Sequence, residues 1–430
     1  MVKTCLKLRH GVGTNPNLNS NYYLGASHFK MKILTVNCGS SSLRVDICEI
    51  DNGSTRTLNW IFTAHAKNIG NDCKLSYGYL DKQQENESLV AASHQDAIEH
   101  VVAKAKSLNI LSDVDKLAVG HRIVHGGSLF TEPTILDDKT ISLLSTLKEL
   151  SPLHQDASLS VIKKLKNILC DHTQMFASFD TTFHKNMPRY AREYAIPADF
   201  TKKHSIYRYG FHGLAHRSMT KQASRLLTKT NSPQRIITLQ LGNGCSACAV
   251  KNGKSIETSM GFTPLEGLVM GTRSGNIDPF VTSYLAKHEV ITQEKVLGIL
   301  NTESGLLGVS QVSANMNNLL SLQNEGHEQS QLAIEMFCHR VRMYIGSYIA
   351  ILGGVDAIVF GGGIGENAEE VRAKICSNLE WFGIQLCPNK NSTTSNLEIN
   401  QESSKVKLYV LRPNEAEMIA EDAVEVLGLH

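Results

Sequence analysis

The parts of this sequence best suited to chemistry are three glycine-rich segments. Each one lies directly after an apolar run, and together they occupy residues 38–42, 242–244 and 361–367. A second apolar run, residues 247–250, follows the middle segment, which is typical of strand, tight turn and strand. Glycine lets backbone N–H groups approach an anion closely. Three such turns therefore predict a protein that handles phosphate groups.

Charged residues inside otherwise apolar segments are a second chemical feature. Arg122 lies near the end of the apolar segment 117–124, and Asp180 lies within the apolar segment 174–183. A buried arginine needs an anionic partner. Arg122 therefore predicts either an internal ion pair or a ligand site, and the sequence leaves both alternatives open.

Two further segments combine glycine with side chains that bind anions. Residues 201–217 are rich in His, Tyr and Arg and contain His212. Residues 255–275 contain Arg273 and are punctuated by glycine, which predicts a long ordered loop rather than a packed element. Because long ordered loops are often functional, we expect this loop to contribute to a site.

The elements that must position these residues alternate between strands and helices. Ser93, with Asp96 three residues later, predicts a capped helix. A long helix is expected over residues 328–352, and apolar residues on one face predict a terminal helix over residues 415–427. Glycine turns open two successive runs of strands and helices. We therefore predict a duplicated α/β unit with a cleft between the copies, in which the turn at residues 37–42 corresponds to the later hairpin.

Composition limits the class of protein and its partners. A chain of 430 residues is longer than one core usually serves, which predicts two domains. With 42% hydrophobic and 20% charged residues it is typical of an ordinary globular protein. The net charge of +2 gives no reason to expect a nucleic-acid partner. The longest charge-free apolar stretch, residues 343–355, is too short to span a membrane.

Ten cysteines are scattered without a disulfide-type pattern, which favours a reducing cytoplasm. Cys245 and Cys248 form a C-x-x-C, but no second pair completes a zinc site, so we expect them to be structural. Residues 1–30 contain no acidic residue and no apolar segment of the secretory type. They predict a disordered extension before a start at Met31, with an organelle address as the alternative.

The motifs occur in the order found in one known family. The chain resembles acetate kinases, of the superfamily that also includes sugar kinases, heat-shock chaperones and actin. The resemblance runs from Met31 to the C-terminus, and its motifs are residues 37–42, 120–127, 179–184, 209–213, 241–244, 258–268 with 271–275, 362–367 and 414–415. The long match at residues 258–275 is the most specific of them.

The resemblance implies a fold of duplicated actin-like (ribonuclease H-like) α/β domains with an interdomain cleft. The N-terminal domain would comprise residues 31–182 plus 415–430, and residues 183–414 would form a nucleotide-binding domain. The implied activity is reversible, Mg²⁺-dependent transfer of the ATP γ-phosphoryl group to acetate, with Mn²⁺ as an alternative ion. A cytoplasmic homodimer without membrane or nucleic-acid partners is implied as well. The alternatives are a propionate or butyrate kinase and a non-catalytic nucleotide-binding protein of the same superfamily.

The resemblance also assigns roles to individual residues. Arg122 and Arg273 match the family's pair of guanidinium groups, whose forks suit carboxylate and phosphoryl oxygens. His212 matches the histidine that hydrogen-bonds the transferred phosphoryl group, and His154 lies in a second family position near it. Asp180 matches the essential acid, which would orient the substrate or an arginine, or hold Mg²⁺ through water. It is not needed as a base, because acetate is already ionised at pH 7.

The remaining assignments concern binding. Beside Arg122, the pocket for the acyl methyl group corresponds to Val124, Leu153, Phe211 and Pro264. The metal positions correspond to Asn37 and Glu415, whose oxygens suit Mg²⁺. The nucleotide positions correspond to Arg44, Gln240, Leu241, Gly242, Asn243, Gly244, Asn315, Met316, Asn317, Gly363, Ile364, Gly365, Glu366 and Asn367.

The sequence departs from the family pattern at several of these positions. Arg44 replaces a lysine and keeps its charge, whereas Gln240 replaces a histidine. Asn315 and Asn317 stand where the family usually has Asp and Arg, which contact the adenosine part of the nucleotide. The loss of both charges predicts ATP as donor with a relaxed preference for the base.

Overall fold

The computed structural model describes residues 30–51, 57–80, 82, 84–111, 116–227, 234–392 and 397–428. The expected extension over residues 1–30 lies outside these residues except for Lys30. The strands of the described residues are β1 Lys30–Cys38, β2 Ser42–Asp51, β3 Leu58–Lys67, β4 Lys74–Tyr79, β5 Glu85–Ser88, β6 Leu117–Ile123, β7 Thr134–Ile135, β8 Gln174–Phe179, β9 Arg235–Leu241, β10 Cys245–Lys251, β11 Lys254–Thr258, β12 Ala357–Gly361 and β13 Lys407–Val410.

The helices of the described residues alternate with these strands. They are α1 His94–Ser107, α2 Asp138–Thr146, α3 Pro152–Ile168, α4 Arg189–Arg192, α5 Ala198–His204, α6 Gly213–Leu226, α7 Phe280–His288, α8 Gln293–Thr302, α9 Gly305–Ser310, α10 Met316–Asn324, α11 Glu328–Leu352, α12 Gly362–Asn367, α13 Glu369–Cys376, α14 Pro388–Asn391 and α15 Glu415–Val426.

The described strands form two sheets with the same internal plan. The first has the order β5-β4-β3-β2-β1-β6-β8-β7, and the second has the order β11-β10-β9-β12-β13. In each sheet an antiparallel hairpin (β1–β2 or β9–β10) is followed by two parallel strands beside its first strand. The segment β3-β2-β1-β6-β8 thus repeats as β11-β10-β9-β12-β13, and the predicted duplication of an α/β unit is confirmed.

Each sheet is covered on both faces, because successive strand residues point to opposite sides. In the first sheet, Leu34 belongs to the core shared with α1 and α3, whereas Ile33 packs with Ile419 of α15. In the second sheet, Leu239 packs with residues of α11, whereas Ile236 packs with Met219 of α6. Burial of these apolar faces stabilises both layers by about 25 cal/mol per Å².

Helices α6 and α15 contact each other between the two sheets. Arg217 of α6 donates to Asp422 of α15 at 2.7 Å, and it also donates to the carbonyl oxygen of Met418. The terminal helix therefore packs on the first sheet, although the chain reaches it only after completing the second. The division of the chain into domains at residues 182 and 415 stays a prediction.

Several local predictions are confirmed. Ser93 caps α1 and forms a capping box with Asp96, and α11 spans Glu328–Leu352 as expected. The glycines after β12 differ from expectation, since residues 362–367 form the short helix α12 rather than a turn. Gly362 has φ +77°, and this left-handed residue redirects the chain from strand to helix.

Cys245 and Cys248 are both free and buried, and burial raises the pKa of each thiol to about 12. In the part of the chain that the structure describes, no helix combines the length and apolar character needed to cross a membrane.

Candidate functional site

A buried ion pair lies at the carboxyl end of the first sheet. Arg122 donates through Nε to Oδ1 of Asp180 at 2.9 Å and through Nη2 to Oδ2 at 2.6 Å. Its third nitrogen, Nη1, donates to Oδ1 of Asn37 at 2.8 Å. The Asn37 amide in turn donates to Oε2 of Glu415 at 2.5 Å. The internal ion pair expected as one alternative for Arg122 is therefore present. A second carboxylate, that of Glu415, lies 3.9 Å from Nη1 of the same guanidinium.

The sheet brings these residues together because β6 and β8 are parallel neighbours. Arg122 pairs in register with Ser178, and the N–H of Asp180 donates to the carbonyl oxygen of Ile123 at 3.0 Å. Asn37 comes from the end of β1, which is parallel to β6 on its other side. Carboxyl ends of parallel strands meet at one edge of a sheet, where ligand sites commonly lie.

Burial shapes the charges of this cluster. The Asp180 side chain is 0% exposed and that of Arg122 is 14% exposed. Although burial opposes its charge, the carboxylates of Asp180 and Glu415 hold the Arg122 pKa above its ordinary value. Burial, together with the negative charge of Asp180, raises the pKa of Glu415. Two carboxylates near one guanidinium make the cluster a place where an added cation is favourable.

His212 lies at the start of α6, beside this cluster. It has φ +56°, an uncommon left-handed conformation for a non-glycine residue. The next residue, Gly213, donates its N–H to the carbonyl oxygen of Asp180 at 3.0 Å, and a Cβ added there would lie 2.0 Å from that oxygen. Only glycine allows this approach, so the contact ties His212 to the ion pair.

The imidazole of His212 is held in a neutral state. Nδ1 lies 2.8 Å from the hydroxyl of Ser246 on β10. Desolvation by burial lowers the pKa of His212 to about 3, despite the opposing effect of Asp180. The edge of the ring that carries Nε2 lies toward the glycine hairpin. A Cβ added to Gly244 would lie 3.5 Å from Nε2 of His212 and 3.6 Å from Nη1 of Arg273.

Arg273 comes from the long loop between β11 and α7. Its Nη1 donates to the carbonyl oxygen of Pro264 at 3.3 Å, and within the described residues it forms no ion pair with a carboxylate. Burial lowers the pKa of this guanidinium. A largely buried positive charge without an anionic partner is unfavourable alone. Arg273 is therefore suited to an anionic ligand that lies against Gly244 and His212.

The loop that carries Arg273 is fixed by a network of its own. Tyr194 donates to Glu266 at 2.5 Å and accepts the N–H of Phe262 at 2.7 Å. Arg208 pairs with the same glutamate at 2.8 Å. At the far end of the loop, Gly271 donates its N–H to the carbonyl oxygen of Asn243 at 2.9 Å. The expected long ordered loop is thus present, and it is anchored to the hairpin.

A cavity of about 450 Å³ adjoins the hairpin. Eight of the predicted nucleotide-binding residues line it, together with Ala314: Gly242, Asn243, Asn315, Met316, Asn317, Gly363, Ile364 and Asn367. Asn315 caps α10, and its side-chain oxygen accepts the N–H of Asn317 at 2.9 Å. The amide thus supplies the capping oxygen that an aspartate would supply, but without the charge.

The other predicted nucleotide-binding residues do not line this cavity. Leu241 is 0% exposed and packs in the core of the second sheet, and Gly365 is buried within α12. Glu366 accepts the N–H of Gly362 at 3.0 Å. The side-chain oxygen of Gln240 is buried, with no hydrogen-bond partner among the described residues. Gly244 faces His212 and Arg273, as described above.

Arg44 lies in a different cavity from the other predicted nucleotide-binding residues. It pairs with Asp46 at 2.8 Å and lines a space of about 480 Å³ beside Asn37 and Glu415. The structure therefore groups Arg44 with the two predicted metal-binding residues rather than with the cavity next to the hairpin.

The predicted acyl pocket is partly visible. Val124 and Phe211 are 7% and 1% exposed and belong to one apolar cluster, and Pro264 contacts Arg273 through its carbonyl oxygen. The side chains of Leu153 and His154 lie outside the residues whose side chains the structure describes. Of the predicted pocket residues, Pro264 thus contacts the Arg273 guanidinium, whereas Val124 and Phe211 belong to the apolar core of the second sheet.

The structure identifies further residues that sequence reasoning missed. His216 is buried one helical turn after His212 and shares the hydroxyl of Ser246 with it. The spacing of two histidines at i and i+4 was the available signal, since such residues lie on one face of a helix. Tyr194 had no such signal, because its partners Glu266 and Phe262 lie about 70 residues away in the sequence.

Comparison with known proteins gives the family. The model of the Acetokinase family matches residues 32–421. The chain is 43% identical over 406 residues to the acetate kinase of Thermoanaerobacter pseudethanolicus, covering 92% of this chain and 99% of that protein. It is 39% identical over 403 residues to the acetate kinase of Treponema denticola, covering 92% of this chain and all of that protein. The chain belongs to the Acetokinase family.

Solved structures agree with this assignment. The acetate kinase of Porphyromonas gingivalis is 34% identical with a TM-score of 0.81, over 92% of this chain and 100% of that one. A propionate kinase of Francisella tularensis is 37% identical with a TM-score of 0.82, over 91% of this chain and 98% of that one. The two-sheet fold is therefore that of acetate and propionate kinases, with duplicated actin-like domains.

The ion pair between Arg122 and Asp180 predicts a strong energetic coupling. Arg122→Met leaves a fully buried carboxylate without its counter-ion, and we expect the free energy of unfolding to fall by about 3–5 kcal/mol. The double variant R122M/D180N should lose less stability than the sum of the single variants, by about 0.5–3 kcal/mol. Urea unfolding measures all three changes.

The matched control is the surface pair of Arg189, at the start of α4, and Glu193, which directly follows that helix. The corresponding substitutions there should leave the unfolding midpoint nearly unchanged, since exposed pairs contribute little. Additive losses in R122M/D180N would contradict a coupled pair.

Proposed function

We propose that this protein is an acetate kinase, which reversibly transfers the γ-phosphoryl group of ATP to acetate to give acetyl phosphate and ADP. The observation that carries the proposal is the convergence of Arg273, His212 and Gly244 beside the Arg122–Asp180 pair. Membership of the Acetokinase family and the names of its relatives support the same reaction.

Charge explains why this arrangement suits the reaction. When a carboxylate attacks the γ-phosphorus, one anion approaches another, so catalysis consists mainly of neutralising charge and aligning the reactants. Arg273 supplies a positive charge that no carboxylate of the described residues neutralises. Arg122 supplies a second guanidinium, held rigidly by Asp180. In the proposal, the two guanidinium groups bind the carboxylate and the phosphoryl oxygens.

His212 stabilises the transferred phosphoryl group by hydrogen bonding rather than by charge. Its pKa of about 3 leaves the ring neutral at physiological pH. A neutral ring donates through one nitrogen only, and Nε2 is the nitrogen on the side of Gly244 and Arg273. Donors placed where negative charge develops commonly supply a factor of about 10²–10³ in rate each.

Asp180 acts in the proposal by orienting Arg122. Both of its carboxylate oxygens accept from that guanidinium. Acetate is already ionised at pH 7, so no base has to remove a proton. His154 keeps its assignment as a second histidine near the phosphoryl group on the family resemblance alone.

A divalent cation belongs to the proposal, with Mg²⁺ first and Mn²⁺ as the alternative. Within the described residues no cluster of three His, Cys, Asp or Glu side chains forms a ready metal site. The donor set nevertheless fits Mg²⁺, which proteins usually hold through one or two carboxylates while nucleotide phosphates complete its shell. Glu415 and Asn37 would hold the ion, with Asp180 nearby. When bound, the ion neutralises phosphate charge.

A homodimer in the cytoplasm completes the proposal. Helix α7 has no buried residue, and its large apolar side chains Phe280 and Tyr284 are 69% and 52% exposed. An exposed apolar face of this kind is typical of an interface between chains. The free cysteines of the described residues suit a reducing compartment.

Analytical ultracentrifugation should give twice the chain mass, and Tyr284→Glu should shift the protein toward the monomer; a monomeric native protein would refute the dimer.

Removal of Arg273 tests the reaction itself. We expect Arg273→Ala to lower kcat/KM for acetyl phosphate formation by a factor of about 10² or more, because a charged donor is lost where negative charge develops. Acyl-hydroxamate formation from acetate, Mg-ATP and hydroxylamine measures the product. Arg189→Ala is the control, since this arginine lies exposed at the surface.

Two outcomes would refute this assignment. Wild-type protein that forms no hydroxamate from acetate would favour the non-catalytic nucleotide-binding alternative. Undiminished product from Arg273→Ala would exclude this arginine from the reaction.

The apolar residues assigned to the acyl pocket predict which acid the enzyme prefers. One methylene group is worth about 1–3 kcal/mol of discrimination, so acetate should be preferred and propionate tolerated. Val124→Ala removes two methyl groups from the proposed acyl pocket and should raise the ratio of kcat/KM for propionate over acetate about tenfold. Steady-state kinetics with the C2, C3 and C4 acids measure the ratio.

Val101→Ala is the matched control, because Val101 is buried in the core of the first sheet, away from the site. It should lower stability and leave the ratio unchanged. A wild-type preference for propionate would instead favour the propionate kinase alternative, which the likeness to the Francisella tularensis enzyme supports.

The uncharged wall of the nucleotide cavity predicts a relaxed base preference. We expect kcat/KM with GTP to lie within about tenfold of that with ATP, a difference of about 1.4 kcal/mol. The double variant N315D/N317R restores the charges usual in the family and should increase the preference for ATP. Activity with pyrophosphate alone would overturn the nucleotide assignment.

A further inference from the structure

A chain of buried side chains leads from the second sheet to His212. The hydroxyl of Thr238 on β9 lies 2.7 Å from Nδ1 of His216, and Nε2 of His216 lies 2.8 Å from the hydroxyl of Ser246. The same hydroxyl lies 2.8 Å from Nδ1 of His212. Thr238, His216 and Ser246 are each 0% exposed, so water does not compete for these hydrogen bonds.

The hydrogen bonds that link Thr238, His216, Ser246 and His212 can run in one of two directions. Burial lowers the pKa of both histidines far below the physiological range, so each ring carries one N–H. The hydroxyl of Ser246 has one proton to donate and lies between two ring nitrogens. If it donates to His212, it must accept from His216; if it donates to His216, it must accept from His212.

The surroundings of Thr238 favour one direction. If the Thr238 hydroxyl donates to Nδ1 of His216, its proton reaches a strong acceptor. In the reverse direction Nδ1 of His216 becomes the donor, and the Thr238 proton must turn to the neighbouring thiol of Cys248. Sulfur is a weak acceptor, and a buried hydroxyl without a good acceptor is unfavourable by about 1–3 kcal/mol.

The surroundings of His212, at the other end of these hydrogen bonds, favour the same direction. Nε2 of His212 is on the side of Arg273 and Gly244, where the proposed function places a phosphoryl group. A lone pair on Nε2 would repel that anion, whereas an N–H would bind it. The direction that runs from Thr238 through His216 and Ser246 places the proton on Nε2.

We propose that Thr238, His216 and Ser246 are positioning residues that fix His212 in its Nε2–H tautomer. In this arrangement Thr238 donates to His216, His216 donates to Ser246, and Ser246 donates to Nδ1 of His212. None of the three is proposed to touch the substrate. The inference rests on the proposed function only for the identity of the anion that Nε2–H binds.

The tautomer can be observed directly, without activity. Long-range ¹H–¹⁵N correlation spectra of the full chain with ¹⁵N-labelled histidine distinguish Nε2–H from Nδ1–H, and loss of signals in His212→Gln assigns the ring. We expect Nε2–H for His212 in the wild-type protein. A wild-type Nδ1–H tautomer would overturn the inference even if the enzyme phosphorylates acetate.

Substitutions at Thr238 test the end of the hydrogen-bonded series that lies farthest from His212. Thr238→Val keeps the shape of the side chain and removes its hydroxyl. It should shift His212 toward Nδ1–H and lower kcat about tenfold or more, in line with a weakened donor at the developing charge, with KM for acetate unchanged. Thr238→Ser keeps the hydroxyl and should restore both the tautomer and kcat.

The matched control is Thr220→Val on α6. Thr220 is also a buried threonine, but among the described residues its hydroxyl has no hydrogen-bond partner. This variant should change neither the tautomer nor kcat. A Thr238→Val protein with unchanged His212 signals and kcat would overturn the inference, as would a Thr238→Ser protein that behaves like the valine variant. If Thr238→Val does not fold, the wild-type and Thr238→Ser spectra decide the question.

Discussion

The rest of the site depends on the ion pair between Arg122 and Asp180. Asp180 is fully buried, and a buried carboxylate is tolerated only when it is paired and hydrogen-bonded. Its side chain accepts twice from Arg122, its N–H donates to β6, and its carbonyl oxygen accepts from Gly213. One residue therefore fixes the guanidinium, the edge of the first sheet and the start of the helix that carries His212.

Burial acts in opposite ways on the two kinds of polar group in the site. It keeps His212 and His216 neutral, because desolvation disfavours the charged imidazole. It cannot neutralise an arginine at physiological pH, so Arg273 keeps its charge without a carboxylate partner among the described residues. The result is a neutral hydrogen-bond donor beside an unpaired cation, both directed at the hairpin turn. That combination is suited to an anion whose charge is redistributed during a reaction.

Much of the fold could be predicted from local patterns. The hairpin around residues 242–244 and the capping box of α1 depend on turn chemistry and capping, which act over a few residues. The segment after β12 was harder, because Gly362 allows a strand to enter either a turn or a helix. Local sequence does not choose between these outcomes, since contacts between Gly362 and Leu241 of the neighbouring strand restrict the path.

The sequence by itself determined the family, the duplicated α/β plan and the identities of Arg122, Asp180, His212 and Arg273 as candidates, because glycine turns and their flanking residues form long, specific motifs. Only the tertiary structure decided that Arg122 pairs with Asp180, that Arg273 lacks a carboxylate partner within the described chain, and that Leu241 lies in the core. It alone connected Thr238 to His212. These facts depend on which distant side chains meet and how far water is excluded, and neither quantity is encoded in local spacing.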